Sequence, residues 1–246
     1  MRIDQFSDQF DVLLQSYINQ NPIGKDNTAS NIALDEYEKS LFLTKAQDEL
    51  VLSLYTGNNP FGDSYEETEE LRRYLADLVE DEILKPITNH QGQPISTNTL
   101  NEHAFFTLPY NLWFITYESV NVNKGEKKCG GEASIDVVPV RHDEYQKIKR
   151  NPFRGVNDRR ALRLDLSDGV VEIVCKYPIT NYYIRYIRET TPIILVDLPC
   201  GMSIKECNHV TECHLHTALH QKILDVAVRM ALQSKGLLKE DNKNNK

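Results

Sequence analysis

The hydrophobic positions in the first part of the chain repeat with the spacing of amphipathic helices. Apolar side chains recur every three or four residues over 2–18, which predicts a helix with one buried face. The same spacing predicts a second helix from Asp35 to Tyr55, ended by Gly57, because glycine adopts the left-handed conformation of a helix cap without strain. The polar, turn-rich residues 19–32 between these helices are expected to form a flexible loop.

A third helix is predicted after residue 64. Ser64 followed by Glu67 has the spacing of a capping box, and the acidic first turn suits the positive end of the helix dipole. Pro86 is expected to stop this helix. Its apolar stripe consists of Leu71, Tyr74, Leu75, Leu78, Val79 and Ile83. Residues 1–86 are therefore interpreted as a helical subregion.

From residue 87 the pattern changes to segments rich in aromatic and β-branched residues, which are typical of strands. The clearest turn is Ser167-Asp168-Gly169, since Asp-Gly supplies the positive φ that tight hairpins need. A short helix is predicted over 142–150. The predicted strands are 105–108, 112–120, 132–140, 161–166, 170–177, 181–188 and 192–196. They are expected to form a mostly antiparallel sheet of about six strands.

A last amphipathic helix is predicted from Thr217 to Ser234, followed by a polar tail. The predicted fold class is α+β, with N-terminal helices, a mostly antiparallel sheet and a C-terminal helix, and without the βαβ alternation of nucleotide-binding folds. The predicted regions are 1–86 (helical), 87–216 (β-rich) and 217–246 (C-terminal helix and tail). We interpret them as one integrated domain.

An arginine-rich connector stands out in this acidic chain. Residues 150–165 contain five arginines, while Pro152, Gly155 and Asn157 prevent regular structure before a strand begins near Leu162. A guanidinium group presents five donors and suits the recognition of carboxylates or phosphates. We therefore predict a docking element that contacts an acidic neighbour; the alternative is a surface loop whose arginines pair with nearby acidic residues. The predicted docking residues are Arg150, Phe153, Arg154, Arg159, Arg160 and Arg163.

Tyrosines and arginines are interleaved near the end of the predicted sheet. Tyr182 and Tyr186 are expected to face one side of a strand, with Tyr183 and Arg185 on the other side. Such a series suits stacking on single-stranded nucleic acid. Because Tyr and Arg are also enriched where proteins contact proteins, we favour a subunit contact through Tyr183 and Arg185 and keep nucleic-acid binding as an alternative.

The segment 207–220 gathers potential zinc ligands. It contains two thiols and four imidazoles, which are ligand types that bind zinc tetrahedrally. The candidate ligands are Cys207, His209, Cys213 and His216. A zinc-stabilised module or a metal-dependent enzyme is therefore the alternative function. The favoured interpretation is a loop without metal, because no Cys-x-x-Cys pair is present, and no cofactor is predicted.

Composition and motifs limit the possible functions. The chain has 246 residues and a net charge of −8, so phosphates repel it and general nucleic-acid binding is disfavoured, whereas lining a path for DNA is compatible with this charge. No apolar run approaches a membrane span, and the charged N-terminus does not resemble a signal peptide. Five cysteines without disulfide spacing indicate free thiols in a reducing cytoplasm. No known catalytic motif is present, and no catalytic residue is predicted.

Several longer strings of residues point to a family. They are Phe6-Ser-Asp-Gln-Phe-Asp-Val-Leu, Asp35 to Val51, Arg150-Asn-Pro-Phe-Arg with Arg159 to Asp165, and Leu219 to Leu232. Together they resemble a virion protein of crAss-like phages, which are short-tailed phages of gut bacteria. The resemblance covers most of the chain and rests on structural strings without a chemical signature.

The resemblance implies a neck or head–tail connector protein, a structural subunit of a ring near the portal and not an enzyme. It implies that a C-terminal helix docks on the portal or on the next ring. The implied partners are other copies of the chain, usually twelve in such rings, the portal protein, neighbouring neck or tail proteins, and passing genomic DNA without specific binding. Assembly is expected in the host bacterial cytoplasm, without a membrane.

Overall fold

The computed structural model describes residues 1–20, 33–58, 64–90, 93–94, 103–124 and 132–236. The chain forms two compact units. A helical unit combines 1–78 with 190–246, and a sheet unit consists of 79–189. The sheet unit is continuous in sequence, whereas the helical unit is assembled from two separate stretches. Most of the predicted loop at 19–32 and the predicted polar tail lie outside the described residues.

The described residues form helices near both ends of the chain and mostly strands between them. The helices are α1 (Ile3–Gln20), α2 (Glu36–Thr56), α3 (Glu69–Tyr74), α4 (Tyr145–Lys149) and α5 (His220–Ser234). The strands are β1 (Val79–Leu84), β2 (Asn89–His90), β3 (Gln93–Pro94), β4 (His103–Thr107), β5 (Leu112–Asn123), β6 (Glu132–Pro139), β7 (Arg160–Asp165), β8 (Val170–Val174) and β9 (Ile179–Arg188).

The helical unit is held together by the apolar faces of α1, α2 and α5. Phe6 and Phe10 of α1 are fully buried, and α5 packs on both α1 and α2. The carboxylate of Asp35 accepts from the Glu38 N–H, and the Glu38 side chain accepts in return from the Asp35 N–H, so a capping box fixes the start of α2. Gly57 ends α2 at φ 80°. The predicted first, second and last helices are confirmed.

The predicted third helix is wrong beyond Tyr74. Thr68, not Ser64, is the N-cap of α3, and a short 3₁₀ turn after Tyr74 leads into β1 instead of continuing to Pro86. The helical spacing of apolar residues continues to Ile83 in the sequence. However, β1 pairs with β9, and this pairing with a distant strand overrides the local pattern.

Seven strands form one sheet in the order β1-β9-β5-β6-β7-β8-β4. All neighbours are antiparallel except β6 and β7, which are parallel. The sheet curls around its own core: the rings of Phe106 on β4 and Tyr182 on β9 lie 5.1 Å apart between centroids, although four strands separate β4 from β9. The predicted α+β class with a mostly antiparallel sheet is confirmed, with seven strands where about six were expected.

The predicted strand at 192–196 is wrong, and this segment lies along α2 instead. The backbone N–H of Ile193 donates to the Thr44 hydroxyl (3.1 Å), and the N–H of Leu195 donates to the Ser40 hydroxyl (3.0 Å). Both hydroxyls belong to buried residues of α2. Side chains of a helix therefore satisfy backbone groups that would otherwise need a neighbouring strand.

Two smaller predictions bear on the sheet unit. The hairpin between β7 and β8 is confirmed, with Asp168 at φ 60° and Gly169 at φ 66°. The helix predicted over 142–150 is present as the shorter α4. The division at residues 86 and 216 into regions of one integrated domain stays a prediction.

Candidate assembly surfaces

The connector before β7 is a tightly fixed loop, residues 150–160, which we call the arginine loop. The Asn151 carboxamide oxygen accepts from the N–H groups of Phe153 (2.9 Å) and Arg154 (3.2 Å). At Gly155 the backbone passes so close to α4 that an added Cβ would lie 2.7 Å from the Asn151 carbonyl oxygen. Only glycine fits there without displacing backbone, which explains this glycine in physical terms.

A small apolar cluster of β7 and β8 packs against the arginine loop. Leu162 and Leu164 of β7 pack with Val174 of β8 on the outer face of the sheet. Tyr145 and Ile148 of α4 cover this cluster, together with Val156 of the loop itself. The predicted alternation of buried leucines along this strand is thus confirmed for Leu162 and Leu164. The loop is fixed on a sheet, as a binding surface on a rigid scaffold requires.

The tip of the loop exposes an aromatic ring among cations. Phe153 is 86% exposed, and its carbonyl oxygen accepts from the Arg160 guanidinium at 3.0 Å, which holds the tip in place. Arg150, Arg154 and Arg159 are exposed. Among the described residues, no ion pair joins these three guanidinium groups to an acidic side chain. An exposed aromatic ring with flanking arginines is the composition of a protein–protein contact.

The nearby acidic residues are engaged elsewhere. The Asp158 carboxylate accepts from Lys176 (2.7 Å) and from the Tyr177 hydroxyl (2.8 Å), and the hydrogen bond from Lys176 is the main cause of the lowered pKa of Asp158. Asp143 pairs with Arg141 at 3.1 Å. Asp165 does pair with an arginine of this segment, Arg163, at 3.0 Å. For Arg150, Arg154 and Arg159, the alternative interpretation of local neutralisation has no support in the contacts of the described residues.

Arg163 has a different environment from the other arginines. Its side chain is only 11% exposed, and its guanidinium donates to the Glu118 carboxylate on β5 at 2.8 Å. The same carboxylate oxygen accepts from the Tyr182 hydroxyl on β9 at 2.5 Å. Burial raises the pKa of Glu118, while Arg163 and Tyr182 oppose this rise. These contacts give Arg163 a structural role inside the curled sheet, and its docking role stays a prediction.

The tyrosine–arginine strand is β9, and its two faces differ as expected. Tyr182 and Tyr186 are buried on the inner face, whereas Arg185 is exposed and Tyr183 is half-buried on the outer face. The Arg185 guanidinium donates to the Tyr183 hydroxyl at 3.1 Å. The ring of Tyr183 lies 6.0 Å from that of Tyr117 on β5. The outer face therefore carries a pair of tyrosines at the surface.

An exposed residue next to this pair escaped the sequence reasoning. Ile83 on β1 lies opposite Tyr183 in the sheet register and is 61% exposed. Residues 79–86 were assigned to a helix, where Ile83 belonged to the buried stripe. The three consecutive acidic residues Glu80, Asp81 and Glu82 interrupt any alternation of apolar and polar residues, so the local sequence does not indicate this strand.

The structure does not bring the candidate zinc ligands together. The Cys213 thiol donates to the Gln47 side chain at 3.2 Å, and His216 caps the following turn by accepting from the Ala218 N–H. Burial raises the pKa of Cys213 to about 11, which disfavours the thiolate that binds metal. Cys207 lies in a tight backbone turn with Ile204. Within the described ranges, no group of three or more His, Cys, Asp or Glu side chains is placed to hold a metal ion.

Comparisons with known proteins match this chain to one family and to two individual proteins. The family described as phage tail ring protein 3/4 matches residues 1–243. Ring protein 3 of Bacteroides phage crAss001 is 41% identical over 233 residues, covering 94% of this chain and 95% of that protein. Ring protein 4/5 of the same phage is 28% identical over 243 residues, covering 94% of this chain and 92% of that protein. No helix in the described part of the chain has the length and apolarity to cross a membrane.

Proposed function

Because the chain belongs to the phage tail ring protein 3/4 family and is therefore a structural ring component of a phage tail or neck, we propose that copies of it form a ring linking the portal to the tail. The observation that carries this proposal is the fixed arginine loop, whose exposed guanidinium groups lack acidic partners among the described residues. In this ring, twelve copies surround the passage through which the genome leaves the head. The assembly takes place in the cytoplasm of the host bacterium.

The similarity to the two relatives supports a proposal for the position of the ring. The chain is 41% identical to Ring protein 3 and 28% identical to Ring protein 4/5 of the same phage, so one fold serves more than one ring protein there. We place this chain at the position that Ring protein 3 occupies in its own particle. The portal and the adjoining neck or tail proteins are then its neighbours.

The charge of the chain suits a passage for DNA. With a net charge of −8, the protein repels phosphates as a whole, so a genome slides past without being held. In this proposal the cationic arginine loop faces a neighbouring subunit and is covered in the ring. Specific DNA binding is not part of the proposed role, and neither is catalysis.

A ring of identical subunits needs two different surfaces that complement each other. We propose that the arginine loop is one of them, through Arg150, Phe153, Arg154, Arg159 and Arg160. Tyr183 and Arg185 of β9 contribute to the contact from another part of the sheet unit. Arg163 supports the sheet through Glu118 in addition to any contact it makes.

Native mass spectrometry of the purified chain tests the proposal. We expect a closed oligomer for the wild type and monomers for Arg154→Glu with Arg159→Glu, since like charges then face each other. Lys45→Glu with Arg229→Glu is the matched control: both side chains are exposed on helices, and the change in net charge is the same. A ring that survives the loop substitutions, or is lost equally in the control, contradicts the docking role. A wild type that stays monomeric at its highest soluble concentration contradicts the self-assembled ring.

A further inference from the structure

We infer that the arginine loop of one copy binds the outer face of the sheet edge of the next copy around the ring. We call this second surface the edge patch; on the outer face it consists of Asp81 and Ile83 of β1, Tyr117 of β5, and Tyr183 and Arg185 of β9, while Glu82 borders it from the other face of β1. The inference rests on the proposed ring and names the two surfaces that meet within it. The occupant of the edge patch is thus a second copy of this chain.

The edge patch is apolar at its centre. Ile83 is 61% exposed and Tyr117 is 45% exposed, although both are large and apolar in character. Tyr183 lies between them, opposite Ile83 in the register and in ring contact with Tyr117. The three side chains come from three adjacent strands, so the exposed area is contiguous. Contiguous exposed apolar surface of this kind marks an interaction site.

The rim of the edge patch is acidic. β1 is an edge strand of the sheet and carries three consecutive acidic residues. Glu80 is engaged within the sheet unit, since it accepts from Arg188 (3.1 Å) and from the Tyr186 hydroxyl (3.1 Å). Asp81 on the outer face and Glu82 on the opposite face of β1 are both exposed, and no ion pair joins either carboxylate to a described residue. Asp81 lies opposite Arg185 on the outer face, so this guanidinium offsets part of the acidic charge there, and Glu82 adds its charge at the adjoining edge.

The arginine loop and the edge patch complement each other in apolar surface and in charge. The loop offers one exposed aromatic ring, that of Phe153, among unpaired guanidinium groups. The patch offers exposed apolar side chains beside the Asp81 carboxylate, with the Glu82 carboxylate at the adjoining edge of β1. Oppositely charged surfaces of this kind fix orientation and suppress wrong contacts, while a buried aromatic ring at the centre supplies affinity.

The positions of the two surfaces favour contact between copies. Both lie in the sheet unit, on the outer face of the curled sheet. Three strands, β9, β5 and β6, separate β1 from β7, at which the arginine loop ends. One copy therefore presents the loop and the patch at different places, as a head-to-tail contact in a ring requires.

A charge swap between the two surfaces tests the inference. The loop variant is Arg154→Glu with Arg159→Glu, and the patch variant is Asp81→Arg with Glu82→Arg. We expect each variant alone to associate at least about 100-fold more weakly than the wild type. Their equimolar mixture restores a ring in which the two variants alternate, because each acidic loop then meets a basic patch. A chain carrying all four substitutions also restores association.

Controls separate misfolding from lost contact. Glu49→Arg with Glu212→Arg changes the net charge as the patch variant does, at exposed positions in the helical unit, and should leave the ring intact. Thermal unfolding and Trp113 fluorescence check that each variant is folded. Phe153→Ser and Ile83→Ser, which leave the charges unchanged, are each expected to weaken association about 10-fold or more.

The outcomes distinguish this inference from the proposed ring. If the wild type forms rings but the mixture and the fourfold variant do not recover association, the pairing of these two surfaces is overturned while the ring role stands. If the patch variant associates like the wild type, the edge patch is not the docking site. A wild type that never associates overturns the inference together with the self-assembled ring.

Discussion

Replacing Arg163 by methionine is the sharpest test of the buried network in the sheet unit. Methionine fills the space of the aliphatic stem but removes the guanidinium that donates to the Glu118 carboxylate. Burial already raises the pKa of Glu118, and the attraction of Arg163 opposes that rise. Without Arg163 the pKa of Glu118 rises further. The folded variant then keeps this proton to a higher pH than the unfolded chain does.

The cost follows from the linkage of protonation to folding. A carboxyl group whose pKa is raised only in the folded state contributes its stability at low pH and loses it as the pH rises above about 4.3. Each pH unit above that value costs about 1.4 kcal/mol, which sets an upper limit of about 4 kcal/mol at pH 7. Removal of one partner from a buried ion pair costs about 3–5 kcal/mol, and the lower part of this range lies within the limit. The deficit of the variant is therefore small at about pH 5 and large at about pH 7.

Urea unfolding followed by tryptophan fluorescence measures this free energy. Trp113 is the single tryptophan of the chain and lies in β5, so the signal reports on the sheet unit. In the double variant Glu118→Gln with Arg163→Met, the neutral amide still accepts from the Tyr182 hydroxyl. We expect this variant to be more stable than Arg163→Met at neutral pH and nearly independent of pH. A single-variant deficit that does not change between acidic and neutral pH would refute the reasoning.

Three further predictions concern other parts of the chain. Gly155→Ala brings a methyl group within 2.7–3.0 Å of three backbone carbonyl oxygens, so we expect a loss of about 1–3 kcal/mol in the same urea assay, and unchanged stability would contradict the close packing. Burial is the main cause of the lowered pKa of His220. Because the unfolded chain binds a proton at this histidine more readily than the folded chain does, stability falls as the pH drops below about 6.5. His220→Gln should flatten this dependence of stability on pH, measured by thermal unfolding followed by circular dichroism. A slope equal to that of the wild type would assign the pH dependence to other groups. Chelators should leave the melting temperature unchanged, since the Cys213 thiol is directed at Gln47 and the candidate ligands do not converge; a clear drop would restore the zinc interpretation.

Local signals determined the elements that the sequence predicted well. The limits of α2 follow from the capping box at Asp35 and the glycine at 57, both of which act within a few residues. The hairpin at Asp168-Gly169 follows from the positive φ that those residues tolerate. In each case the physical cause lies within the residues of the element itself.

Distant partners determined the elements that the sequence predicted wrongly. β1 has the apolar spacing of a helix and becomes a strand because β9 pairs with it. Residues 192–196 have the composition of a strand and remain irregular because Ser40 and Thr44 of α2 bind their backbone. No pattern within either segment reveals these partners.

The same distinction between local signals and distant partners applies to the candidate surfaces. The exposure of the arginine loop follows from its proline, glycine and arginines, which are visible in the sequence. The burial of Arg163 depends on Glu118 and Tyr182, which reach it across the curl of the sheet. The exposure of Ile83 depends on the strand order, which places β1 at the edge. Both facts require the tertiary structure.

The split composition of the helical unit sets an order for folding during synthesis. The sheet unit is one continuous stretch and is complete once residue 189 has left the ribosome, whereas α1 and α2 must wait for α5, which covers their apolar faces. At about 5–20 residues per second, the time between completion of α2 and completion of α5 is roughly 9–36 s. During that time Phe6 and Phe10, which are fully buried in the folded protein, are not yet covered by α5. The nascent chain is therefore most prone to aggregation through its earliest helices, and translation that stops before α5 leaves a folded sheet joined to helices without their cover.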